Sequence, residues 1–159
     1  MSSFIGEYQC KVDAKGRFML PSGLKKQLDP AAQEKFVINR GFEGCLVLYP
    51  MNEWNKETAK FEKLNLFVAK NRKFYRQFHN GATQLVLDGT GRLLLPRTLA
   101  KTAEIEKEIV LFAYANRIEV WAKDKYEAVM DEDADDFASL AEDVMGELGN
   151  DEEDKKEDK

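Results

Sequence analysis

"VDAKGRFMLP" (Val12–Pro21) and "LDGTGRLLLP" (Leu87–Pro96) are one phrase written twice. Each reads apolar residue, Asp, two variable residues, Gly, Arg, three apolar residues, Pro. Asp13, Gly16, Arg17 and Pro21 return as Asp88, Gly91, Arg92 and Pro96, each 75 positions later. The correspondence runs on: "KFVINRGFEGCLVLYPMNEW" (Lys35–Trp54) lies over "KEIVLFAYANRIEVWAKDKY" (Lys107–Tyr126) at an offset of 72. A repeat at fixed spacing marks two copies of one unit. Each copy has about 45 residues, too few to bury a core alone, so the two are expected to pair.

Both copies read mostly as strands. In "YQCKV", Tyr8, Cys10 and Val12 alternate with polar residues, the pattern of a half-buried strand. "DAKG" is a turn, because Asp bonds the backbone ahead of it and Gly accepts positive φ. "RFML" returns as a strand, and Pro21 opens a short helical turn where its missing N–H costs nothing. "KFVIN" and "CLVLY" are two further strands. The second copy repeats the order as "ATQLVL", "DGTG", "RLLL", "PRTLAKTA", "EIVLF" and "IEVWA". These readings give a mainly β chain with helices, of the α+β class. Its parts are a first repeat over 5–54, a helical connector over 55–81, a second repeat over 82–126, a C-terminal helix over 127–148 and an acidic disordered tail over 149–159. In the connector, Asn52 and Asn65 are candidate helix caps. Phe67, Asn71, Phe74, Tyr75 and Phe78 recur at helical spacing and are expected in the core. Phe137, Leu140, Ala141, Val144, Met145 and Leu148 form one apolar face of the C-terminal helix.

The chain is 43% hydrophobic and 33% charged, as in soluble globular proteins. Its net charge of −5 hides a division. Residues 1–130 carry 21 Lys and Arg against 15 Asp and Glu, a net of +6. Residues 131–159 carry 3 against 14, a net of −11. A basic body permits a polyanionic partner. The tail "NDEEDKKEDK" serves solubility or competes with DNA for the basic surface, and composition favours solubility. No run reaches the roughly 18 apolar residues of a membrane span, so no membrane is expected. "MSSFIGEYQC" has no basic region followed by an apolar block, which predicts the cytoplasm. Cys10 and Cys45 lack metal-like spacing and read as buried or indifferent thiols.

One copy of the phrase has a plain structural explanation: Asp organises the turn, Gly supplies the backbone, and Arg pairs with a carboxylate. Two observations favour a contact role. The Arg is kept in both copies while the turn residues beside it differ. Arg also has the shape to hold phosphate or a guanine edge through two parallel bonds. The first copy is the more basic, with Lys11, Lys15, Lys25, Lys26 and Arg40 near Arg17 in sequence. The second has Thr90 in place of Lys15 and adds Arg97.

Through "DAKGRFMLP", "DGTGRLLLP", "CLVLYPMNEW" and "RKFYRQFHNGATQLVLDGTGRLLLP", the chain resembles the MraZ family of bacterial transcriptional regulators over roughly residues 4–145. That family carries two tandem AbrB-like swapped-hairpin units, each marked Asp-x-x-x-Arg. The resemblance implies a β-barrel interleaved from both halves of one chain and a homo-oligomer in the form of a ring. It implies binding of double-stranded DNA at short direct repeats, in the promoter ahead of the division and cell-wall gene cluster, usually as a repressor on the nucleoid. Carried over by position, its DNA-contact motif falls on Asp13, Lys15, Gly16 and Arg17, and on Asp88, Gly91 and Arg92. With Lys11 and Arg40 added from the basic residues of the first copy, the residues expected to touch DNA are Arg17, Lys15, Lys11, Arg40 and Arg92, with Asp13, Gly16, Asp88 and Gly91 shaping the turns. Thr90 departs from the basic residue of the first motif and sets the two copies apart.

Catalysis is disfavoured. His79 is the sole histidine and sits at a helix end beside Asn80 and Gly81. No Ser or Cys stands in a nucleophile motif, and Gly-rich phosphate loops are absent. No cofactor, metal or small-molecule substrate is expected. The alternative is an oligomeric protein-interaction module of the same fold, antitoxin-like or a platform, which has no need of the basic first copy.

Overall fold

The computed structural model describes residues 3–133 and 136–157. They form two compact units, one ending at Lys125 and the other beginning at Tyr126.

The first unit is built from two sheets. β1 (Phe4–Lys11), β3 (Lys35–Arg40), β4 (Leu46–Pro50), β5 (Thr83–Val86), β7 (Glu108–Ala115) and β8 (Arg117–Ala122) make one sheet in the order β1-β7-β8-β4-β3-β5. β2 (Arg17–Met19) and β6 (Arg92–Leu94) make a separate two-stranded ribbon. Every pairing is antiparallel.

The copies exchange strands. β1 of the first copy pairs with β7 of the second, from Phe4↔Ala115 to Lys11↔Glu108. β5 of the second pairs with β3 of the first, from Lys35↔Val86 to Ile38↔Thr83. Neither copy completes its sheet alone, as units this short require. The two offsets in the sequence explain the registers. Phe18 pairs with Leu93, its own equivalent 75 residues on, and Val47 pairs with Glu119, its equivalent 72 residues on. Both pairs lie on a two-fold axis relating the copies, one at the centre of the ribbon and one at the centre of the sheet. The chain is thus an interleaved swapped-hairpin fold of two tandem units.

Strand alternation fills the core from both copies. Phe18, Leu20, Leu24, Phe36, Ile38, Leu46 and Leu48 meet Leu93, Leu95, Leu99, Ile109, Leu111, Ile118 and Val120, all buried. α1 (Ser22–Lys25) and α4 (Arg97–Thr102) each follow a Pro and bury one leucine, Leu24 and Leu99. α2 (Met51–Ala59) packs on β3 and β4, which explains why β4 is buried on both faces.

The connector departs from expectation in three ways. α2 starts at Met51 with Pro50 as its cap, not Asn52, because Pro fixes the backbone entering the first turn. α3 (Ala69–Phe78) starts after Val68, and Asn65 instead folds the preceding loop by accepting from the Phe67 N–H at 2.9 Å. The aromatic stripe divides. Phe78 and Tyr75 pack with Trp54, Phe61 and His79, Phe74 packs on Phe61 and Phe78 with its outer side exposed, and Phe67 is 95% exposed. Phe67 lies outside the helix, so helical spacing does not govern where it faces.

In the second unit, α5 (Lys123–Asp133), which begins at the end of the first unit, precedes α6 (Phe137–Glu157). α6 continues through most of the segment expected to be disordered. Extending a nucleated helix costs little, and Glu and Lys are good helix formers. Among the described residues, no helix is long and apolar enough to cross a membrane.

Candidate nucleic-acid interface

The repeated phrase folds into two tight turns joined by the ribbon. In the first, the Asp13 N–H donates to the Arg17 carbonyl at 2.8 Å and the Gly16 N–H to the Asp13 carbonyl at 3.0 Å. In the second, Asp88 and Arg92 make the same bond at 2.9 Å, and Gly91 and Asp88 at 3.0 Å. Gly16 and Gly91 have φ of +87° and +81°, values that L side chains rarely adopt. The turns lock onto one another: the Leu95 N–H donates to the Gly16 carbonyl at 2.8 Å, and the Leu20 N–H to the Gly91 carbonyl at 3.0 Å.

Each Asp gathers its own turn. Asp13 Oδ1 accepts from the backbone N–H groups of Lys15 and Arg17, both at 2.9 Å, and its Oδ2 accepts from Arg17 Nε at 3.0 Å. Asp88 repeats this with Thr90 and Arg92, and also accepts from the Thr90 hydroxyl at 2.8 Å. The Arg17 backbone N–H, foremost, holds the Asp13 carboxyl below its usual range. The Arg92 backbone N–H does the same to Asp88, well below the carboxylate range. Both stay ionised at neutral pH. Arg92 Nη1 also lies 3.9 Å from Asp13 Oδ2, which couples the turns.

The structural role of the phrase is therefore real, and it leaves part of each guanidinium over. Nε is bonded to Asp, while the Arg17 and Arg92 side chains remain 29% and 31% exposed. An Arg fixed through Nε offers its Nη edge without losing further freedom, the geometry that suits phosphate or guanine O6 and N7.

The ribbon register shows what surrounds them. Arg17 stands opposite Leu94, and Met19 opposite Arg92. Directly opposed residues share a face, so one face of the ribbon carries two Arg and two apolar side chains. Phe18 and Leu93 point into the core, whereas Met19 and Leu94 are 52% and 54% exposed. Neither was singled out from the sequence. Alternation identifies them only once Phe18 is known to be buried.

The Asp–Arg pairs are balanced in charge, so net positive charge comes from their neighbours. Lys15 is exposed at the first tip. Lys11 ends β1 and lines one cavity with Asp13 and Lys107, where Glu106 and Glu108 stand against the two ammonium groups. The interleaving moves two basic residues across copies. Arg97, from the second copy, lines a cavity with Asp13, Lys15 and Gly16 of the first turn. Lys25, from the first copy, reaches the second turn, its Nζ 3.9 Å from where a Gly91 side chain would begin. Nearness in sequence places each at its own copy's turn, and strand exchange carries it to the other. Arg40 is not brought to this surface. It ends β3 at the far side from Lys35, whose partner Val86 leads into the second turn. Its neighbours there are Gly41, Tyr49, Phe78 and Arg117.

The remaining candidates for chemistry are occupied structurally. His79 caps α3, its Nδ1 3.0 Å from the Tyr75 carbonyl and its ring stacked on Tyr75. Burial pushes the Cys45 thiol up to about 12 and raises that of Cys10, so neither is a ready thiolate.

Comparison with known proteins agrees with this architecture. The family described as MraZ protein, and likened to antitoxins, matches residues 3–77 and 78–147. A protein of Flavobacterium psychrophilum named transcriptional regulator MraZ is 50% identical over 153 residues, covering 96% of this chain and 98% of that one. One of the same name from Christiangramia forsetii is 53% identical, covering 92% and 95%. Another from Lactobacillus delbrueckii subsp. bulgaricus is 43% identical, covering 89% and 96%.

Proposed function

This chain belongs to the MraZ family, and on that premise we propose that it regulates transcription by binding double-stranded DNA through the exposed face of the β2–β6 ribbon. The observation that carries the reading is the juxtaposition of Arg17, Met19, Arg92 and Leu94 on that face. A two-stranded ribbon fits the major groove. There the two Arg Nη edges meet guanine or phosphate, and the two apolar side chains meet thymine methyl groups. Lys11, Lys15, Lys25 and Arg97 flank the ribbon and hold the phosphate backbone.

One copy of the ribbon contacts few phosphates and binds weakly. Copies assembled in a ring present several ribbons to neighbouring direct repeats. Linked engagement raises affinity by roughly 10²–10⁴ over a single site. Direct repeats suit subunits related by rotation in one sense, whereas palindromes suit two-fold dimers. On this reading the protein acts in the cytoplasm, on the nucleoid. It represses the promoter ahead of the division and cell-wall genes by occupying it.

The rival reading, an antitoxin-like module that binds protein, is favoured by the internal satisfaction of both Asp–Arg pairs. Footprinting of the full-length protein on DNA upstream of its own gene separates the two. Protection at regularly spaced repeats, lost as salt rises, supports the regulator. Absence of protection at 50 mM salt removes it.

A further inference from the structure

The loop before α3 presents an apolar triplet to solvent and is fastened in that posture. Leu66, Phe67 and Val68 are all exposed. The Phe67 N–H donates to Asn65 Oδ1 at 2.9 Å, Asn71 Nδ2 donates to the Asn65 carbonyl at 2.9 Å, and Arg72 Nη1 donates to the Leu66 carbonyl at 2.9 Å. A loop held by its neighbours' side chains, with its largest apolar residue outermost, has the character of a contact surface. Its surroundings are basic. Residues 60–76 contain Lys60, Lys63, Lys70, Arg72, Lys73 and Arg76 against Glu62 alone, a net of +5. At 100° per residue, Arg72, Lys73 and Arg76 share one side of α3.

α6 has the complementary make-up. Phe137, Leu140, Val144, Met145 and Leu148 form a single stripe about 17 Å long, and all five are exposed. Residues 136–151 contain Asp136, Glu142, Asp143, Glu147 and Asp151 and no Lys or Arg, a net of −5. Helical spacing sets Asp143 and Glu147 along one border of the stripe.

We infer that α6 of one copy docks on the Leu66–Val68 loop and α3 of the next copy, a head-to-tail contact between copies of this chain. Two α6 helices would repel one another, and two α3 surfaces likewise. The opposed charges therefore select the unlike pair, and the apolar triplet and stripe supply the burial. A heterologous contact repeated from copy to copy closes into a ring when its rotation permits. DNA could satisfy the α3 cations but offers the triplet little apolar partner, so the acidic, apolar helix fits better. The inference rests on the proposal that copies assemble, and it names the surfaces that join them.

The test is sedimentation velocity on the full-length protein across a concentration series, with three variants. Phe67→Ser alters an exposed loop residue. Lys73→Glu/Arg76→Glu and Asp143→Lys/Glu147→Lys each reverse one partner. The expected results are a multimeric wild type, a dissociation midpoint raised roughly tenfold or more for Phe67→Ser, smaller particles for each charge reversal, and larger particles when the two reversed proteins are mixed. Re-assembly on mixing requires contact between chains. A wild type that is monomeric throughout overturns the assembly proposal and this contact with it. A multimeric wild type whose mass none of the variants changes overturns this contact alone. So does a Lys73→Glu/Arg76→Glu variant that keeps its mass but loses DNA, which would make α3 a nucleic-acid surface.

Discussion

The two turns share the bonds at their base and differ at their tips. In both, Asp accepts two backbone N–H groups and the Arg Nε, and a glycine takes positive φ. At the first tip Lys15 leaves an ammonium in solvent, while at the second Thr90 turns its hydroxyl back onto Asp88. The first turn therefore adds charge where the second adds an internal bond. The difference teaches that the motif is a scaffold, and that its variable position decides how much each copy offers to a polyanion. Interleaving leaves the contrast in place, because Lys25 of the first copy reaches the second turn while Arg97 of the second reaches the first.

The comparison breaks first in the core. Phe18 and Leu93 are equivalents on the two-fold axis, both fully buried. Phe18→Ala should cost about 3–5 kcal/mol and Leu93→Ala about 2–5 kcal/mol, read by urea unfolding. Equal positions, unequal volumes and similar losses would confirm that one core serves both copies. A loss under about 1 kcal/mol at either site would show that half of the ribbon is dispensable.

The glycines sharpen the claim that the bases are alike. A side chain on Gly16 would stand 3.5 Å from the Leu95 carbonyl, and one on Gly91 3.6 Å from Met19 Sδ, both ordinary contacts. Cost then comes from positive φ alone. Gly16→Ala and Gly91→Ala should each lose about 1–2 kcal/mol. Thermal unfolding that separates them by more than that would make the turns unlike at their base.

The tips should act through salt. Lys15→Thr is expected to shallow the dependence of log K on log salt by about 0.9 for each DNA-bound copy, and Thr90→Lys to steepen it by a similar amount. Anisotropy on promoter DNA at several salt concentrations reads both. An unchanged slope for Lys15→Thr would remove that tip from the phosphate contacts.

The smallest expected effect is that of pH. Asp13 and Asp88 have carboxyls held below their unfolded value of about 3.9. Their stabilising contribution is complete above that value and is lost as pH falls through the lower folded values. Between pH 5 and 8 the two turns should add nothing to the pH dependence of the melting temperature. Asn at either position should lower the melting temperature at pH 7 and leave it nearer to wild type at pH 3. A difference that persists undiminished at pH 3 would contradict this.

Much of this was legible in the sequence because repetition carries geometry. The offsets of 75 and 72 correspond to the self-pairings of Phe18 with Leu93 and of Val47 with Glu119. Asp, Gly and Arg at fixed spacing announced the turns. What linear reading missed depends on the strand exchange. Arg97 and Lys25 belong in sequence with the turns they follow, and exchange carries each to the other turn. Arg40 follows the first turn closely in sequence yet lies beyond a whole strand from it in space. Met19 and Leu94 were read only as apolar residues, since a three-residue strand is too short for its alternation to declare which face is wet. Phe67 was swept into a helical stripe that begins after it.

The central claim is that the two ribbon Arg side chains contact DNA beyond their pairing with Asp. The most direct measurement is the affinity of wild type, Arg17→Ala and Arg92→Ala for DNA upstream of the protein's own gene. Circular dichroism and sizing would accompany it to show that each variant is folded and assembled as wild type is. Asp13 and Asp88 keep their backbone bonds in these variants, so the turns should persist. The account predicts a loss of at least about fivefold for each, since one bidentate Arg–base contact contributes about 1–3 kcal/mol of discrimination. Folded variants that bind as tightly as wild type would leave both arginines as turn fixtures and contradict it.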